Sequence, residues 1–198
     1  RNAYNSNSRT REKVLSQLDQ AREIARRYIE GNAGPISALS DAIWEFAEPG
    51  FCEEQSADAL CKLLAENGFE VEKGVANLPT AFVARYGKGS PVIGVMCEYD
   101  ATPGERQGNA SHPFPDPDRY AGFTDLHNGI GVASAAAAVA VAKAMEEAGI
   151  DGSVVAYGTP VEKLCLGKPF MARDGLFDGI DAFVAWHPRP YSTVEWDL

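Results

Sequence analysis

The sequence predicts an α/β fold: a three-layer, open and largely parallel sheet with helices on both faces. Three observations lead to this prediction. The 198 residues are enough for one α/β domain with a sizeable core. The hydrophobic period changes from helical to strand-like near residue 69, and strands and helices alternate from there on. The segment 92–97 is a continuous apolar run, as expected for a strand that is buried on both faces.

The first third of the chain is predicted to be helical. Apolar residues recur at three- and four-residue steps in the segments 10–31 and 35–46, and again from about Glu53 to a stop at Gly68. Pro35 suits the first turn of the second helix. Residues 1–9 are polar, and we expect them to be loose.

The remaining elements follow the alternation of βαβ units. Strands are predicted at 69–72, 80–86, 92–97, 153–157 and 182–186, and helices at 129–148 and 168–174. The helix 129–148 is rich in alanine and valine, so its small side chains permit close packing under a sheet. The segment 99–124 has little pattern, and a loop of that length in a compact domain is usually functional.

Composition argues against several classes of function. The net charge of −10 disfavours a nucleic-acid or anionic-membrane surface. The longest uncharged apolar run, 129–142, is too short to span a bilayer. The four cysteines form no Cys-x-x-Cys pair, which favours a reducing, cytoplasmic compartment.

Polar side chains follow three of the predicted strands, and two more precede the alanine-rich helix. They are Glu98, Asp100, Asp125, His127, Glu162, Lys163 and His187. Open α/β sheets form their sites beyond the carboxyl ends of the strands, so we expect these side chains to share one cleft. Two imidazoles and a carboxylate leave coordination positions of a metal free for water, and a nearby glutamate can accept the water's proton.

Each of these residues also has an ordinary structural interpretation. Asp125 can be a helix N-cap, a position that aspartate favours. Glu98 and Asp100 can be turn formers, and Glu162 with Lys163 can be a solvated pair in a loop. Only their joint occurrence at consecutive element ends favours the metal site.

At these residues the chain resembles the metal-dependent amidohydrolases. This family includes aminoacylases, indole-acetyl-amino-acid hydrolases, p-aminobenzoyl-glutamate hydrolase and nitroanthranilate aminohydrolase. The resemblance runs from about Asp41 to Pro188 and implies a zinc-peptidase-like catalytic domain. It is carried by the segments Trp-Glu-Phe-Ala-Glu-Pro-Gly-Phe at 44–51, Glu-Tyr-Asp-Ala at 98–101, Gly-Thr-Pro-Val-Glu at 158–162, Gly-Lys-Pro-Phe-Met at 167–171 and Trp-His-Pro at 186–188.

The resemblance implies roles for individual residues. Glu162 would be the general base, His127 and His187 metal ligands, and Asp100 the carboxylate that orients a ligand. The family usually reads Gly-His-Gly-Cys-Gly-His-Asn where this chain has Gly-Phe-Thr-Asp-Leu-His-Asn at 122–128. Asp125 therefore replaces a cysteine ligand, and this hard oxygen donor favours Mn²⁺, Zn²⁺ or a similar ion.

A second departure from the family concerns the number of metals. The family has a Glu-Glu pair, general base then metal ligand, where this chain has Glu162-Lys163. An ammonium group cannot ligate a metal, and its charge repels a cation. We therefore expect one divalent transition metal, held by Asp125, His127 and His187. Lys163 would either bind an anionic group of the substrate or fill the vacated metal position with a salt bridge.

The resemblance also bears on domain organisation. In the family, a smaller lid domain interrupts the catalytic domain, which then resumes. By this comparison, 1–34 is an N-terminal helical arm and 35–198 is the N-terminal part of the catalytic domain. The lid and the rest of the catalytic domain would lie outside this sequence, in a longer chain or, as we expect, in a second polypeptide of a homo-oligomeric particle.

The function implied is hydrolysis of a C–N bond in a small anionic substrate, with water activated by one metal. Amide cleavage of an acyl- or aminobenzoyl-amino acid is the family's usual reaction. Hydrolytic deamination of an aromatic amine, as in the nitroanthranilate enzyme, is the second option. The alternative from a different class is a non-catalytic scaffold or regulatory relative, because the loss of a metal ligand is the first step by which such a relative loses enzymatic activity.

Overall fold

The structure is a computed structural model that describes residues 2–188, with side chains from Val14 onward. The helices within these residues are α1 (Asn2–Gly31), α2 (Ala33–Phe46), α3 (Glu54–Glu66), α4 (His127–Ala148) and α5 (Gly167–Arg173). The strands are β1 (Glu70–Lys73), β2 (Phe82–Lys88), β3 (Val92–Cys97), β4 (Thr102–Pro103), β5 (Ala121–Gly122), β6 (Gly152–Gly158) and β7 (Ala182–Val184).

The main sheet has the strand order β1-β2-β6-β3-β7. Strands β6, β3 and β7 run parallel, whereas β2 pairs antiparallel with both β1 and β6. The long helix α4 connects β3 to β6, as expected for a parallel crossover. The predicted α/β class is therefore confirmed, with a parallel half that carries the predicted βαβ units and an antiparallel half at the other edge.

Helices and loops cover the two faces of the sheet. On one face, α2, α3 and α4 enclose a core with large side chains such as Ile43, Leu60, Phe82 and Val139. On the opposite face, Val83, Tyr157 and Met171 belong to a second, smaller cluster that α5 and the loops around it close. Helix α1 packs along α4 on the outside, and Gln17 Nε2 donates hydrogen bonds to the carbonyl oxygens of Ala148 (2.8 Å) and Gly149 (3.0 Å).

Two local expectations need adjustment. Helix α1 begins at Asn2, so the prediction that 1–9 is loose is wrong for residues 2–9, because extending an existing helix costs little compared with starting one. The loop 99–124 carries the small antiparallel pair β4–β5. Helix α4 has the length and composition of a membrane span, but most of it is buried, as in the core helix of a globular domain.

Candidate metal and hydrolytic site

The candidate site lies where β3 and β6 end and α4 begins. Glu98 and Asp100 follow β3, and Glu162 begins a short 3₁₀ turn after β6. Gly131 lets α4 approach the end of β3, because a Cβ atom at this position would collide with the carbonyl oxygen of Glu98. This close packing brings His127, the first residue of α4, beside the strand end.

The N-terminus of α4 excludes one structural interpretation of Asp125. The N-cap is Leu126, with φ 60° and ψ 33°, and no side chain caps the helix there. Asp125 is therefore not a capping residue. The left-handed conformation of Leu126 is unusual for a residue with a Cβ atom, and such backbone strain is commonly found at functional sites.

His127 is held in one orientation by Asp100. His127 Nδ1 lies 2.7 Å from Asp100 Oδ1, and both side chains are fully buried. A carboxylate oxygen accepts, so Nδ1 donates this hydrogen bond, and Nε2 is the ring nitrogen that faces the site. Asp100 Oδ2 accepts a second hydrogen bond, from the Lys163 amide at 2.9 Å. The orienting role implied for Asp100 is consistent with this geometry.

Three carboxylate oxygens surround His127 Nε2. Glu98 Oε2 and Asp125 Oδ2 lie 3.4 Å away, and Glu162 Oε2 lies 3.5 Å away. His187 approaches from the exposed side, with its ring 6.0 Å from the His127 ring and nearly perpendicular to it. The predicted ligands and the predicted base are thus brought together.

The geometry makes Glu98 a candidate ligand; the sequence placed it in the expected cleft, with a turn as the alternative, but gave it no role in metal binding. Ligand atoms of Glu98, His127 and His187 all lie within 4.8 Å of one another, close enough to share a metal ion. Glu98 Oε2 is buried and accepts no hydrogen bond from any described residue, although an unpaired buried carboxylate oxygen is costly. A cation beside it would remove this cost, so the residues present fit a metal. The sequence signal was available: a polar residue directly after a buried strand.

Lys163 forms the salt bridge that was one of its two predicted roles. Its ammonium group bonds Asp125 Oδ1 and lies 3.2 Å from His127 Nε2. Partial burial by itself would raise the pKa of Asp125, but the hydrogen bond from Lys163 and the nearby positive charges outweigh it, so this pKa lies below its usual value. Lys163 therefore keeps Asp125 ionised beside His127.

A second lysine, which sequence reasoning did not single out, also contacts the carboxylates. Lys168 Nζ lies 2.5 Å from Glu98 Oε1 and 3.4 Å from Glu162 Oε1. Lys168 and Glu162 also line a cavity of about 240 Å³, whose other lining residues are Cys165, Leu166, Gly167 and Pro169. The site therefore opens into a small, mostly apolar space that has charge at one end.

Comparison with known proteins places this geometry in context. No protein-family profile matches the chain. The chain is 39% identical over 165 residues to one subunit of the p-aminobenzoyl-glutamate hydrolase of Escherichia coli (strain K12), an alignment that covers 83% of this chain and 34% of that protein. It thus spans about a third of the length of this curated relative.

Two solved structures share the fold. One is a dinuclear metal-binding peptidase of the M20 family from Bacillus subtilis, with a TM-score of 0.62, 21% identity and coverage of 85% of this chain and 44% of that one. The other is the aminobenzoyl-glutamate utilization protein of Klebsiella pneumoniae, with a TM-score of 0.58, 15% identity and coverage of 80% and 44%. These findings confirm the resemblance to the metal-dependent amidohydrolases: the chain has the fold of an M20 peptidase domain and is a relative of a p-aminobenzoyl-glutamate hydrolase subunit.

Proposed function

We propose that this chain forms the part of a metal-dependent hydrolase that carries the general base and the core of a metal site, and that the enzyme cleaves a C–N bond. One observation carries the proposal. Glu98, Asp125 and Glu162 direct carboxylate oxygens at His127 Nε2 within 3.5 Å, and Glu98 Oε2 lacks any other described partner. The relationship to a hydrolase subunit supports the same class of reaction.

His127 and His187 are the proposed imidazole ligands, with Glu98 and Asp125 as the carboxylate ligands. A divalent cation held by these residues would supply Lewis-acid chemistry, polarising an acyl oxygen and lowering the pKa of water so that it can attack at neutral pH. Oxygen-rich donor sets suit Mn²⁺ and Zn²⁺. Asp100 contributes by holding the His127 ring so that Nε2 faces the carboxylates.

Glu162 is the proposed general base. Its Oε2 lies beside His127 Nε2, so it can accept a proton from a water molecule held in the cluster. The same carboxyl group then donates that proton to the leaving nitrogen. Because its side chain is only partly buried, Glu162 can reach both the water and a substrate that enters from the cavity.

We propose one metal ion, and the charges of the cluster support this number. Four carboxylates, Glu98, Asp100, Asp125 and Glu162, face two ammonium groups, Lys163 and Lys168, which leaves two negative charges for a single divalent ion to balance. Lys163→Glu restores the family's Glu-Glu pair and should raise the bound metal from one to two per chain. Lys163→Gln, which adds no ligand charge, is the matched control and should stay at one.

Metal analysis tests the enzyme against the non-catalytic alternative. After dialysis, the protein should retain Mn²⁺ or Zn²⁺ near one equivalent, with or without substrate. If no divalent transition metal binds under either condition, the enzyme proposal is wrong and a scaffold or regulatory role remains.

A substrate panel tests the bond that is cleaved. Acyl- and aminobenzoyl-amino acids represent amide cleavage, and substituted anthranilates represent removal of an aromatic amine. We favour amide cleavage because the sequence relative is named for it. Lys168 and the apolar cavity beside Glu162 suit an anion that carries an apolar group in both cases. Release of ammonia from an anthranilate, without amide cleavage, would reverse this preference.

The remainder of the enzyme is proposed to pack against β7. This strand lies at the edge of the sheet, and Phe183, Val184 and Trp186 are exposed there. A mostly apolar groove of about 320 Å³ runs from Val184 to Val141 on α4. Native mass spectrometry of the purified particle would identify the partner, and Val184→Asp should dissociate a non-covalent one. A particle that is unchanged by Val184→Asp would exclude this edge as the contact.

A further inference from the structure

Glu53 is a fully buried carboxylate that none of the roles above uses. It lies just before α3, and its Oε1 accepts a hydrogen bond from the Val161 amide at 2.8 Å. Its Oε2 accepts the Thr80 hydroxyl at 3.0 Å, and the Thr80 carbonyl accepts the Tyr99 hydroxyl at 2.7 Å. Each oxygen of Glu53 therefore has one defined donor inside the protein.

Val161 has a backbone conformation that valine rarely adopts. Its φ of 59° and ψ of 36° lie in the left-handed region, and its side chain is fully buried. A β-branched residue is strained there, and such strain persists only where the surroundings enforce it. Gly50 leaves room for the Val161 side chain, since a Cβ atom at Gly50 would stand 3.0 Å from Val161 Cγ1.

Glu162 follows Val161 directly and lies between two backbone amides that buried carboxylates hold. The Val161 amide donates to Glu53, and the Lys163 amide donates to Asp100 Oδ2 at 2.9 Å. The first bond fixes the peptide group that precedes Val161, and the second fixes the peptide group that follows Glu162, so the Val161-Glu162 segment is held at both ends. The direction of the Glu162 side chain toward His127 is therefore set from both sides.

We propose that Glu53 is a positioning residue for Glu162: its bond to the Val161 amide holds the left-handed turn that directs Glu162 Oε2 at His127. The inference rests on the proposed function in one respect, the role of Glu162 as base. Burial raises the pKa of Glu53, and the hydrogen bonds from Val161 and Thr80 offset only part of that shift. A carboxyl group kept at such a cost is better explained by positioning than by stability.

Three variants of the full chain separate positioning from general stability. Glu53→Ala removes the acceptor, Glu53→Gln keeps an amide oxygen that can accept from Val161, and Thr80→Val removes only the other partner. Glu53→Ala should speed amide hydrogen exchange at Val161 and lower kcat on the order of 10- to 100-fold, with KM and metal content unchanged. Glu53→Gln and Thr80→Val should keep the Val161 exchange rate and kcat of the wild type.

Several outcomes overturn the inference. They are an unchanged Val161 exchange rate or kcat in folded Glu53→Ala, and a loss of kcat in Glu53→Gln as large as that in Glu53→Ala. If Glu53→Ala does not fold, Glu53→Asp replaces it, because the shorter side chain keeps the charge but no longer reaches the Val161 amide. A Val161 exchange rate and a kcat equal to those of the wild type in Glu53→Asp would then refute the inference. If the wild-type chain, assembled with the remainder of the enzyme, hydrolyses no substrate, the proposed function is refuted instead, and Val161 exchange then decides whether Glu53 holds the turn.

Discussion

The two sides of the candidate site differ in how they are held. The inner wall, Glu53, Glu98, Asp100 and His127, is buried, and its members bond to backbone amides, to one another or to a neighbouring lysine. The outer rim, Asp125, Lys163 and His187, is more open: the Asp125 side chain is 40% exposed, and His187 follows a short edge strand.

This difference separates two tasks. The inner wall is fixed by core elements of this chain, so it can present His127 Nε2 and Glu162 in one geometry before any ligand arrives. The outer rim is open to the substrate and to the rest of the enzyme. Substitutions in the wall should therefore affect chemistry and metal affinity strongly, whereas rim substitutions should have smaller effects.

The largest effect is expected at Glu162, which joins the two sides. Glu162→Gln should lower kcat by roughly 10²- to 10⁴-fold, since the amide cannot accept the proton from water. Metal content should stay near that of the wild type, because Glu162 is not a proposed ligand. Glu72→Gln, on an exposed position of β1, is the control and should be fully active. Surviving activity in Glu162→Gln would refute the assignment of the base.

The next largest effect compares the wall with the rim directly. In Asp100→Asn, one carboxylate oxygen becomes an NH₂ group, which can only donate, so one of the two donors, His127 Nδ1 or the Lys163 amide, loses its acceptor. We expect metal affinity, measured by competition with a chelator, to fall about 10- to 100-fold. Asp125→Asn keeps an oxygen at the rim and should lose less. A greater loss in Asp125→Asn would reverse the ranking of the two sides.

Much of this arrangement could be predicted from the sequence because strand ends and helix starts are local signals. Asp100, His127 and Glu162 follow apolar runs or begin a periodic one, and the structure brings them together. The ion pair between Lys163 and Asp125 was one of two expectations for Lys163. The roles of these residues in catalysis and metal binding remain predictions.

The remainder depended on contacts between distant segments. Nothing local indicates that Glu98 Oε2 has no hydrogen-bond donor among the described residues, or that Glu53 reaches an amide 108 residues away. The antiparallel direction of β2 could not be predicted from the sequence either, since a strand's apolar pattern does not specify the strand with which it pairs. Val161 carries no sequence signal for a left-handed backbone, because that conformation is imposed by tertiary structure.

A third prediction tests how closely the wall is packed, through two glycines of α4. Gly131→Ala places a methyl group against the Glu98 carbonyl and should lower the free energy of unfolding by about 1–3 kcal/mol. Gly129→Ala is the matched control, because alanine favours helix and, apart from its chain neighbours and the backbone of its own helix, the nearest atom to a Cβ there is Leu126 Cβ at 4.0 Å. Denaturant titration of both variants gives the comparison. Equal stability of the two variants would show that α4 does not approach β3 this closely.

The smallest effect concerns the pH dependence that the wall imposes on stability. Burial raises the pKa of Glu53 above its unfolded value, so the protonated form favours folding, and this contribution is present below the unfolded pKa and lost as pH rises through the folded pKa. Over that range, the free energy of unfolding of the wild type should fall relative to Glu53→Gln by at most about 1.4 kcal/mol per pH unit. Parallel pH profiles would mean that Glu53 ionises as easily in the folded protein as in the unfolded chain. Ionised groups in the inner wall would then cost no more folding free energy than ionised groups at the exposed rim.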